Sequence, residues 1–457
     1  MSKFDAIIIG AGQAGPSLAG RLTAAGRKVA MIERKLFGGT CVNTGCIPTK
    51  TLVASAYVAY KARTASEYGI NAGSVSVDMK AVKARKDQVS GASRAGVEGW
   101  LRGMENCTVY TGHARFESPH EIRVGNELLS ADQIFLNVGG RANIPKMPGI
   151  DTVPFLTNVG ILELDTPPRH LIIVGGSYIG LEFAQIYRRF GSEVTVIEMG
   201  PRLVQHEDED ISEAIQSFLE KEGIHIRLNA KCIHLEQRGN EIAVGVECES
   251  DASASLGSHV LLAVGRRPNT DDLNLEKAGV ETDERGYIKV DDQLRTSVPG
   301  IWALGDCNGK GAFTHTSYND FEIVAANLLD NDPRRVSDRI PAHCLYTDPP
   351  LGRAGMTERE VRASGKPAFI GTRPMTKVGR AVEKGESAGF LKILVDAESK
   401  QILGASLLGT GCDEVIHCIL DVMYAKQPYT TISRAMHIHP TVSELIPTVL
   451  QDLKPLK

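Results

Sequence analysis

Short apolar runs and glycine-rich turns alternate in the same order at two places in the chain. A run at residues 6–9 is followed by a glycine turn, a helical stretch and a second run at 29–33. The same order returns with runs at 171–174 and 193–198. Short apolar runs bounded by glycine are typical of strands buried on both faces of a parallel sheet. The pattern predicts an α/β fold with two Rossmann-like nucleotide-binding domains.

The rest of the pattern predicts a long helix, a hairpin and a third domain. Residues 80–100 have helical periodicity, and residues 107–124 alternate like hairpin strands. Near the end of the chain, strands at 390–395 and 402–407 precede a helix at 412–425, which indicates an α+β domain. The predicted boundaries are 1–147 and 269–340 for the first nucleotide domain, 148–268 for the second, and 341–457 for the α+β domain.

Composition excludes several classes of protein. The 457 residues are 42% hydrophobic and 23% charged, which is an ordinary globular mixture. The net charge of −4 predicts no binding to nucleic acid or to an anionic membrane. No apolar run reaches the roughly 18 residues of a membrane span, and the first strand begins without a signal peptide. Nine scattered cysteines favour a reducing compartment, so we predict a cytoplasmic protein.

The first glycine turn is a complete dinucleotide-binding fingerprint. Gly10, Gly12 and Gly15 occupy the GxGxxG positions, and Glu33 follows the first glycine by 23 residues. Such glycines permit a tight bend, so that a pyrophosphate can sit on the helix N-terminus while the acidic side chain binds a ribose hydroxyl. A glycine-rich turn without a ligand is the alternative interpretation.

The second turn departs from the fingerprint at one position. Gly175 and Gly180 are present, but Ser177 replaces the middle glycine. Glu198 lies 23 residues after Gly175, the same spacing as in the first copy. An acidic residue here accepts hydrogen bonds from the ribose of NAD and repels the 2′-phosphate of NADP, so NADH is the predicted coenzyme. A solvated strand end is the alternative for this residue.

Two cysteines lie five residues apart, at 41 and 46. In a regular helix their Cα atoms would be roughly 8 to 9 Å apart, beyond the ~7 Å that a disulfide can span. Gly45 relaxes the backbone, and Pro48 removes the N–H that would bond to Thr44, so a distorted helix would permit a bridge. Two free cysteines beside a turn are the alternative.

These motifs together resemble the flavoprotein disulfide reductases, which include dihydrolipoamide dehydrogenase, glutathione reductase and mercuric reductase. The resemblance covers essentially the whole chain and rests on residues 38–50, the two fingerprints, 303–306 and 437–444. It implies an FAD domain, an NAD(P) domain and a C-terminal dimerisation domain. It also implies a homodimer that takes a small-molecule disulfide or oxidant as substrate.

The resemblance implies a role for each of several residues. Cys41 would be the interchange thiol and Cys46 the charge-transfer thiol. Lys50 and Glu182 would pair beside the flavin, and Tyr178 would gate the nicotinamide pocket. His439 and Glu444 would form the base for the partner subunit's dithiol. The implied cofactor-binding residues are Gly10, Gly12, Gly15, Glu33, Thr40, Lys50, Gly139, Gly175, Gly180, Glu198, Gly265 and Asp306.

The substrate is left open by the sequence. The pattern at residues 437–441 is similar to dihydrolipoamide dehydrogenase, whereas residues 311–320 look more like the mercuric and reactive-chlorine resistance reductases. Mercury is disfavoured because residues 451–457 contain no cysteine pair and His439 is not tyrosine. A flavin-bearing structural subunit is the non-enzymatic alternative.

Two further patterns receive ordinary structural interpretations. Cys412, His417 and Cys418 form only a weak cluster on one predicted helix, so no metal site is predicted. The acidic run at residues 207–210 is interpreted as a solvated helix start.

Overall fold

The computed structural model describes residues 1–246 and 254–456. Its strands are β1 Ser2–Ile9, β2 Val29–Glu33, β3 Cys107–Thr111, β4 Ala114–Ser118, β5 Glu121–Val124, β6 Glu127–Leu136, β7 Gly140–Ala142, β8 His170–Val174, β9 Glu193–Ile197, β10 His225–Arg227, β11 Ile233–Arg238, β12 Glu241–Val246, β13 Ser255–Gly257, β14 His259–Leu262, β15 Arg266–Pro268, β16 Ile301–Ala303, β17 Ala342–Leu345, β18 Leu351–Gly355, β19 Ala368–Pro374, β20 Phe390–Asp396, β21 Ile402–Leu408 and β22 Lys454–Pro455.

The α-helices are α1 Ala14–Ala24, α2 Gly39–Asn43, α3 Cys46–Arg63, α4 Met79–Arg102, α5 Tyr178–Phe190, α6 Glu209–Lys221, α7 Leu275–Ala278, α8 Thr314–Ala325, α9 Glu358–Ser364, α10 Gly379–Glu383, α11 Cys412–Tyr424, α12 Thr430–Ser433 and α13 Ile446–Gln451. None of the helices in the described ranges is long and apolar enough to cross a membrane.

The first sheet joins the beginning of the chain to a strand that returns much later. Its order is β3-β2-β1-β6-β5-β4, and β16 pairs with β6 in parallel. Ile7 and Ile8 of β1 are fully buried on opposite faces, because α1 and α8 pack on the Ile8 face while β4, β5 and the short α7 pack on the Ile7 face. The sheet therefore brings the first glycine turn close to the segment after β16.

The hairpin predicted over residues 107–124 is wrong for its first part. β3 pairs in parallel with β2 at the sheet edge, and only β4 and β5 form an antiparallel pair. The long helix α4 carries the chain back across the sheet, so β3 enters in the same direction as β2. Alternating burial on an edge strand looks the same in sequence as a hairpin strand.

The second sheet carries the second glycine turn. It is parallel in the order β10-β9-β8-β14, with a separate antiparallel sheet β11-β12-β13 beside it. The short strands β7 and β15 pair where the chain leaves and re-enters the first sheet's region. The first and second sheets, each with its glycine turn, correspond to the two predicted nucleotide-binding domains. The residue numbers of the domain boundaries stay predictions.

The C-terminal part is an antiparallel sheet in the order β17-β18-β21-β20-β19-β22. The predicted strands and helix correspond to β20, β21 and α11. Ile416 and Ile419 of α11 pack against the sheet in one buried cluster. The α+β character predicted for this part is therefore present.

The interpretation of the acidic run as a solvated helix start is wrong for its first two residues, whereas Glu209 and Asp210 are exposed and begin α6. Glu207 is 1% and Asp208 7% exposed, because both face the C-terminal sheet. The buried Lys392 ammonium lies 3.0 Å from Asp208 and 2.7 Å from Asp210. Asp208 also accepts the backbone N–H of Glu358. The run therefore joins the second nucleotide sheet to the C-terminal sheet by ion pairs and hydrogen bonds.

One cysteine outside the predicted site is bridged: Cys232 is disulfide-bonded. The free thiols in the described residues belong to Cys41, Cys46, Cys107, Cys307, Cys344, Cys412 and Cys418.

Candidate active site

The first glycine turn has the geometry of a phosphate-binding turn. Gly10 has a φ of +103°, and a Cβ there would lie 2.3 Å from the Asn137 carbonyl oxygen. A Cβ at Gly15 would lie 2.3 Å from the Gly10 carbonyl oxygen, so α1 packs directly on the turn. A Cβ on Gly39 would lie 2.8 Å from the Gly12 Cα. Glycine backbone forms the tight turn at the N-terminus of α1, with the Asn137 amide and the Glu33 carboxylate beside it, and this turn fits a pyrophosphate group.

Glu33 ties the end of β2 to this turn. Its carboxylate accepts the backbone N–H of Ala11 at 2.9 Å and that of Lys35 at 2.8 Å. Each carboxylate oxygen can accept a further hydrogen bond, so Glu33 can bind a ribose hydroxyl as well. Thr40 lies in the first turn of α2, directly after Gly39.

The second glycine turn repeats the same construction. A Cβ on Gly180 would lie 2.1 Å from the Gly175 carbonyl oxygen, and Gly175 has a φ of +114°. Glu198 accepts the backbone N–H of Gly176 at 2.7 Å and that of Gly200 at 2.8 Å. Ser177 is extended, with a φ of −113°, so this position does not require glycine. The serine substitution leaves the turn intact.

Asp306 lines a cavity of about 200 Å³ together with Arg266 and Tyr287. Burial raises the pKa of the Asp306 carboxyl, although the Arg266 guanidinium at 3.3 Å opposes the shift. The predicted Gly139 and Gly265 have φ values of +64° and +98°. Arg266 was not predicted as a site residue, although its position directly after the predicted Gly265 could have indicated it.

The two site cysteines lie at a break between two helices and not within one distorted helix. α2 ends before Gly45, and α3 begins at Cys46. Gly45 has φ −136° and ψ −118°, and a Cβ there would lie 2.9 Å from the Thr40 carbonyl oxygen. Cys41 and Cys46 are free thiols joined by a hydrogen bond. The break therefore brings the two sulfur atoms together.

The two thiols differ in acidity. The hydrogen bond with Cys41 lowers the pKa of Cys46 to about 6, with further help from Thr314 and Lys50 against the effect of burial. The Thr314 hydroxyl lies 3.2 Å from the Cys46 sulfur. The hydrogen bond with Cys46, and then burial, raise the pKa of Cys41. At neutral pH the proton is therefore on Cys41 and the negative charge is on Cys46.

Lys50 lies one helical turn after Cys46 and binds Glu182. Its ammonium is 2.9 and 2.7 Å from the two carboxylate oxygens. The backbone N–H of Tyr346 donates to the same carboxylate at 3.1 Å, and the Lys50 ammonium lies 4.6 Å from the Tyr346 ring centroid. Tyr346 was not predicted as a site residue, because no motif surrounds it.

Tyr178 begins α5, one turn before Glu182. Its hydroxyl donates to Glu207 at 2.8 Å and lies 3.0 Å from Nε2 of His343. Neither Glu207 nor His343 was predicted as a site residue, and no local motif points to either of them. The structure therefore adds a carboxylate and an imidazole to the surroundings of the predicted gate.

His439 and Glu444 form a pair on the surface. Nδ1 of His439 lies 3.0 Å from both carboxylate oxygens of Glu444, and the imidazole is 79% exposed. The carboxylate holds the proton on Nδ1, which leaves Nε2 able to accept one. No hydrogen bond or ion pair among the described residues joins this pair to Cys41 or Cys46.

The described residues include no group of three histidine, cysteine or acidic side chains arranged to hold a metal ion.

Comparison with known proteins agrees with this geometry over nearly the whole chain. Residues 4–320 match the profile of the pyridine nucleotide-disulphide oxidoreductases, and residues 341–450 match their dimerisation domain. The probable pyridine nucleotide-disulfide oxidoreductase RclA of Escherichia coli strain K12 is 38% identical over 97% of this chain and 98% of its own length. The dihydrolipoyl dehydrogenase of Chlamydia muridarum is 33% identical over 97% and 95%.

A solved structure supports the same relationship. The HOCl-induced flavoprotein disulfide reductase RclA from Escherichia coli superposes with a TM-score of 0.90 at 36% identity, covering 98% of this chain and all of that one. Proteins of this kind depend on FAD and a pyridine nucleotide, for which the two glycine turns are suited. The chain belongs to the pyridine nucleotide-disulphide oxidoreductase family.

Proposed function

We propose that the protein is a homodimeric NADH-dependent reductase that passes electrons through FAD to the Cys41–Cys46 disulfide and then to an oxidised substrate. The observation that carries this proposal is the hydrogen-bonded thiol pair beside the Lys50–Glu182 ion pair. A scaffold protein has no need for a thiol whose pKa is lowered to about 6. This argues against the alternative of a flavin-bearing structural subunit.

The first glycine turn, Glu33, Thr40 and Asp306 would hold FAD, and the second turn with Glu198 would hold NADH. Bound FAD supplies hydride acceptance and the transfer of an electron pair to a disulfide. Lys50 is placed to stabilise negative charge beside Cys46, since its ammonium is fixed by Glu182. Cleavage of the Cys41–Cys46 bond leaves the charge on Cys46 and a proton on Cys41.

The substrate step needs Cys41 as a thiolate. His439 of the partner subunit would take its proton, because Glu444 keeps Nδ1 protonated and Nε2 free. Cys41 then attacks one sulfur of a disulfide substrate, which releases the first thiol. Cys46 attacks Cys41, restores the internal disulfide and releases the second thiol. Overall, NADH and one proton reduce one disulfide to two thiols.

NADH is expected to be used more efficiently than NADPH, because Glu198 would repel the 2′-phosphate. Glu198→Arg should shift the ratio of the two kcat/KM values toward NADPH by about tenfold to a hundredfold, the scale of one charge interaction. Glu193→Arg is the matched control, since Glu193 is exposed at the other end of the same strand. A wild-type preference for NADPH, or an equal shift in the control, would contradict the assignment.

The substrate class is proposed as a small disulfide, with a metal ion as the second candidate. The dihydrolipoyl dehydrogenase of Chlamydia muridarum is 33% identical to the chain, whereas RclA is 38% identical. A metal ion is favoured by one observation, that a solved structure similar to this chain is a Cu(II) complex of RclA.

NADH oxidation with lipoamide, glutathione disulfide, small quinones, Hg(II) and Cu(II) tests the choice. We expect turnover with a disulfide that is lost in Cys41→Ser. Turnover with Cu(II) or Hg(II) but with neither disulfide would favour a metal ion as the substrate. Turnover with quinones only, if it survives in Cys41→Ser, would contradict both a disulfide and a metal ion as the substrate.

A further inference from the structure

Two polar side chains from distant parts of the chain, those of Glu207 and His343, meet at the Tyr178 hydroxyl. The hydroxyl is 2.8 Å from Oε1 of Glu207 and 3.0 Å from Nε2 of His343, and these last two atoms are 2.8 Å apart. Glu207 precedes α6, and His343 lies on β17 of the C-terminal sheet. The Glu207 side chain is 1% exposed. The Glu207 carboxylate is therefore buried, Tyr178 and His343 are partly buried, and the cluster joins the second nucleotide sheet to the C-terminal sheet.

The Tyr178 ring lies between the second glycine turn and the thiols. Tyr178 begins α5 directly after that turn, and Glu182 on the next turn of the same face binds Lys50. The ring also packs edge-on against Phe313 at 6.2 Å, and the next residue, Thr314, contacts Cys46. A nicotinamide that extends from the second turn toward Cys46 must therefore move this ring.

The cluster holds the ring through a charged hydrogen bond. Burial opposes ionisation of Glu207, but the hydrogen bond and charge of His343, with the charge of Arg353, outweigh it and keep the pKa of the carboxyl below its usual range. Burial and the Glu207 charge raise the pKa of Tyr178, so its hydroxyl stays protonated and donates. Hydrogen bonds to an ionised acceptor are about twice as strong as neutral ones.

The imidazole of His343 is itself fixed in place. Its ring is parallel to that of Phe313 within 4°, with the centroids 5.5 Å apart. Nε2 can donate to Glu207 while the ring is held by this stacking. Loss of His343 would therefore remove one support of the Glu207 charge and one neighbour of the tyrosine hydroxyl.

We propose that Glu207 and His343 are positioning residues that hold Tyr178 over the nicotinamide site, so that nicotinamide binding must break the hydroxyl's hydrogen bonds. This inference rests on the proposed function, in which the second turn binds NADH. Its consequence is that the cluster weakens binding of the nicotinamide ring. Binding of the adenosine and pyrophosphate parts should be unaffected, because the pyrophosphate would bind the backbone of the turn and the adenosine ribose would bind Glu198, and neither contact uses the Tyr178 hydroxyl.

Calorimetric titration of the oxidised holoenzyme with NAD⁺ and with ADP-ribose tests this, since ADP-ribose lacks the nicotinamide ring. Tyr178→Phe keeps the ring and loses only the hydroxyl. We expect this variant and His343→Ala to bind NAD⁺ about threefold to tenfold more tightly than wild type. ADP-ribose should bind equally to all three proteins. His225→Ala, at an exposed position of the same nucleotide sheet, should match wild type for both ligands.

The double variant adds a second criterion. Tyr178→Phe combined with His343→Ala should bind NAD⁺ about as tightly as either single variant, because both remove the same restraint. Unchanged NAD⁺ affinity in Tyr178→Phe, or a parallel change for ADP-ribose, would overturn the inference even if NADH still reduces the flavin. A wild-type protein that binds neither ligand would overturn the proposed function as well.

Discussion

Cys41→Ser and His439→Ala chains, each inactive alone, are expected to recover about a quarter of wild-type disulfide reductase activity when mixed and exchanged. Half of the dimers formed at random are mixed, and each mixed dimer has one intact dithiol facing one intact histidine. The physical basis is the 79% exposure of His439, whose pair with Glu444 has no hydrogen bond or ion pair to Cys41 or Cys46 among the described residues. The measurement is NADH-dependent disulfide reduction after proven subunit exchange.

The matched control is a mixture of Cys41→Ser with Cys46→Ser. Every dithiol in that mixture lacks one sulfur, so no combination of chains restores a site. Activity in the control would show that recovery comes from another source. Proven exchange with no recovery in the test mixture would contradict a site shared between subunits.

Cys41→Ser is expected to show a long-wavelength charge-transfer absorption without added reductant, and Cys46→Ser is expected to lack it. Cys46 is the thiol whose pKa is lowered to about 6, so above this pH it is the thiolate available to interact with the flavin. The band should be present at neutral pH and disappear as the pH falls through the pKa of Cys46. Both variants should lose disulfide reduction and keep flavin reduction by NADH.

Cys41→Ala tests whether the hydrogen bond with residue 41 causes the low pKa of Cys46. The hydrogen bond with Cys41 is the largest influence that lowers the pKa of Cys46. A serine hydroxyl at position 41 can still donate, whereas alanine cannot. The midpoint of the band should therefore lie at higher pH in Cys41→Ala than in Cys41→Ser. A band in Cys46→Ser and none in Cys41→Ser would reverse the assigned roles.

The features that could be predicted from the sequence are those that depend on residues close together in the chain. Both glycine turns depend on residues within 23 positions of one another, and their apolar strands need only the parallel sheet around them. The break at Gly45 was visible as a glycine between the two cysteines and a proline two residues after the second one. The sequence predicts one distorted helix at this place, and the structure has two separate helices.

The features that were missed depend on elements that arrive later in the chain. Acidic residues such as Glu207 and Asp208 look solvated unless it is known that β17 and β20 cover them. His343 and Tyr346 carry no motif, and they reach the site only because the C-terminal sheet packs on α5. No pattern local to these residues contains that packing, so a single sequence could not show it.

Anaerobic titration of the oxidised protein with NADH tests the central claim most directly, with thiols counted by iodoacetamide alkylation after each addition. We expect wild type to consume about two NADH per subunit and to gain about two alkylatable thiols, because both FAD and the disulfide are reduced. Cys41→Ser should consume about one and gain none. Wild-type protein that consumes about one NADH per subunit and gains no thiols would contradict electron transfer to Cys41 and Cys46.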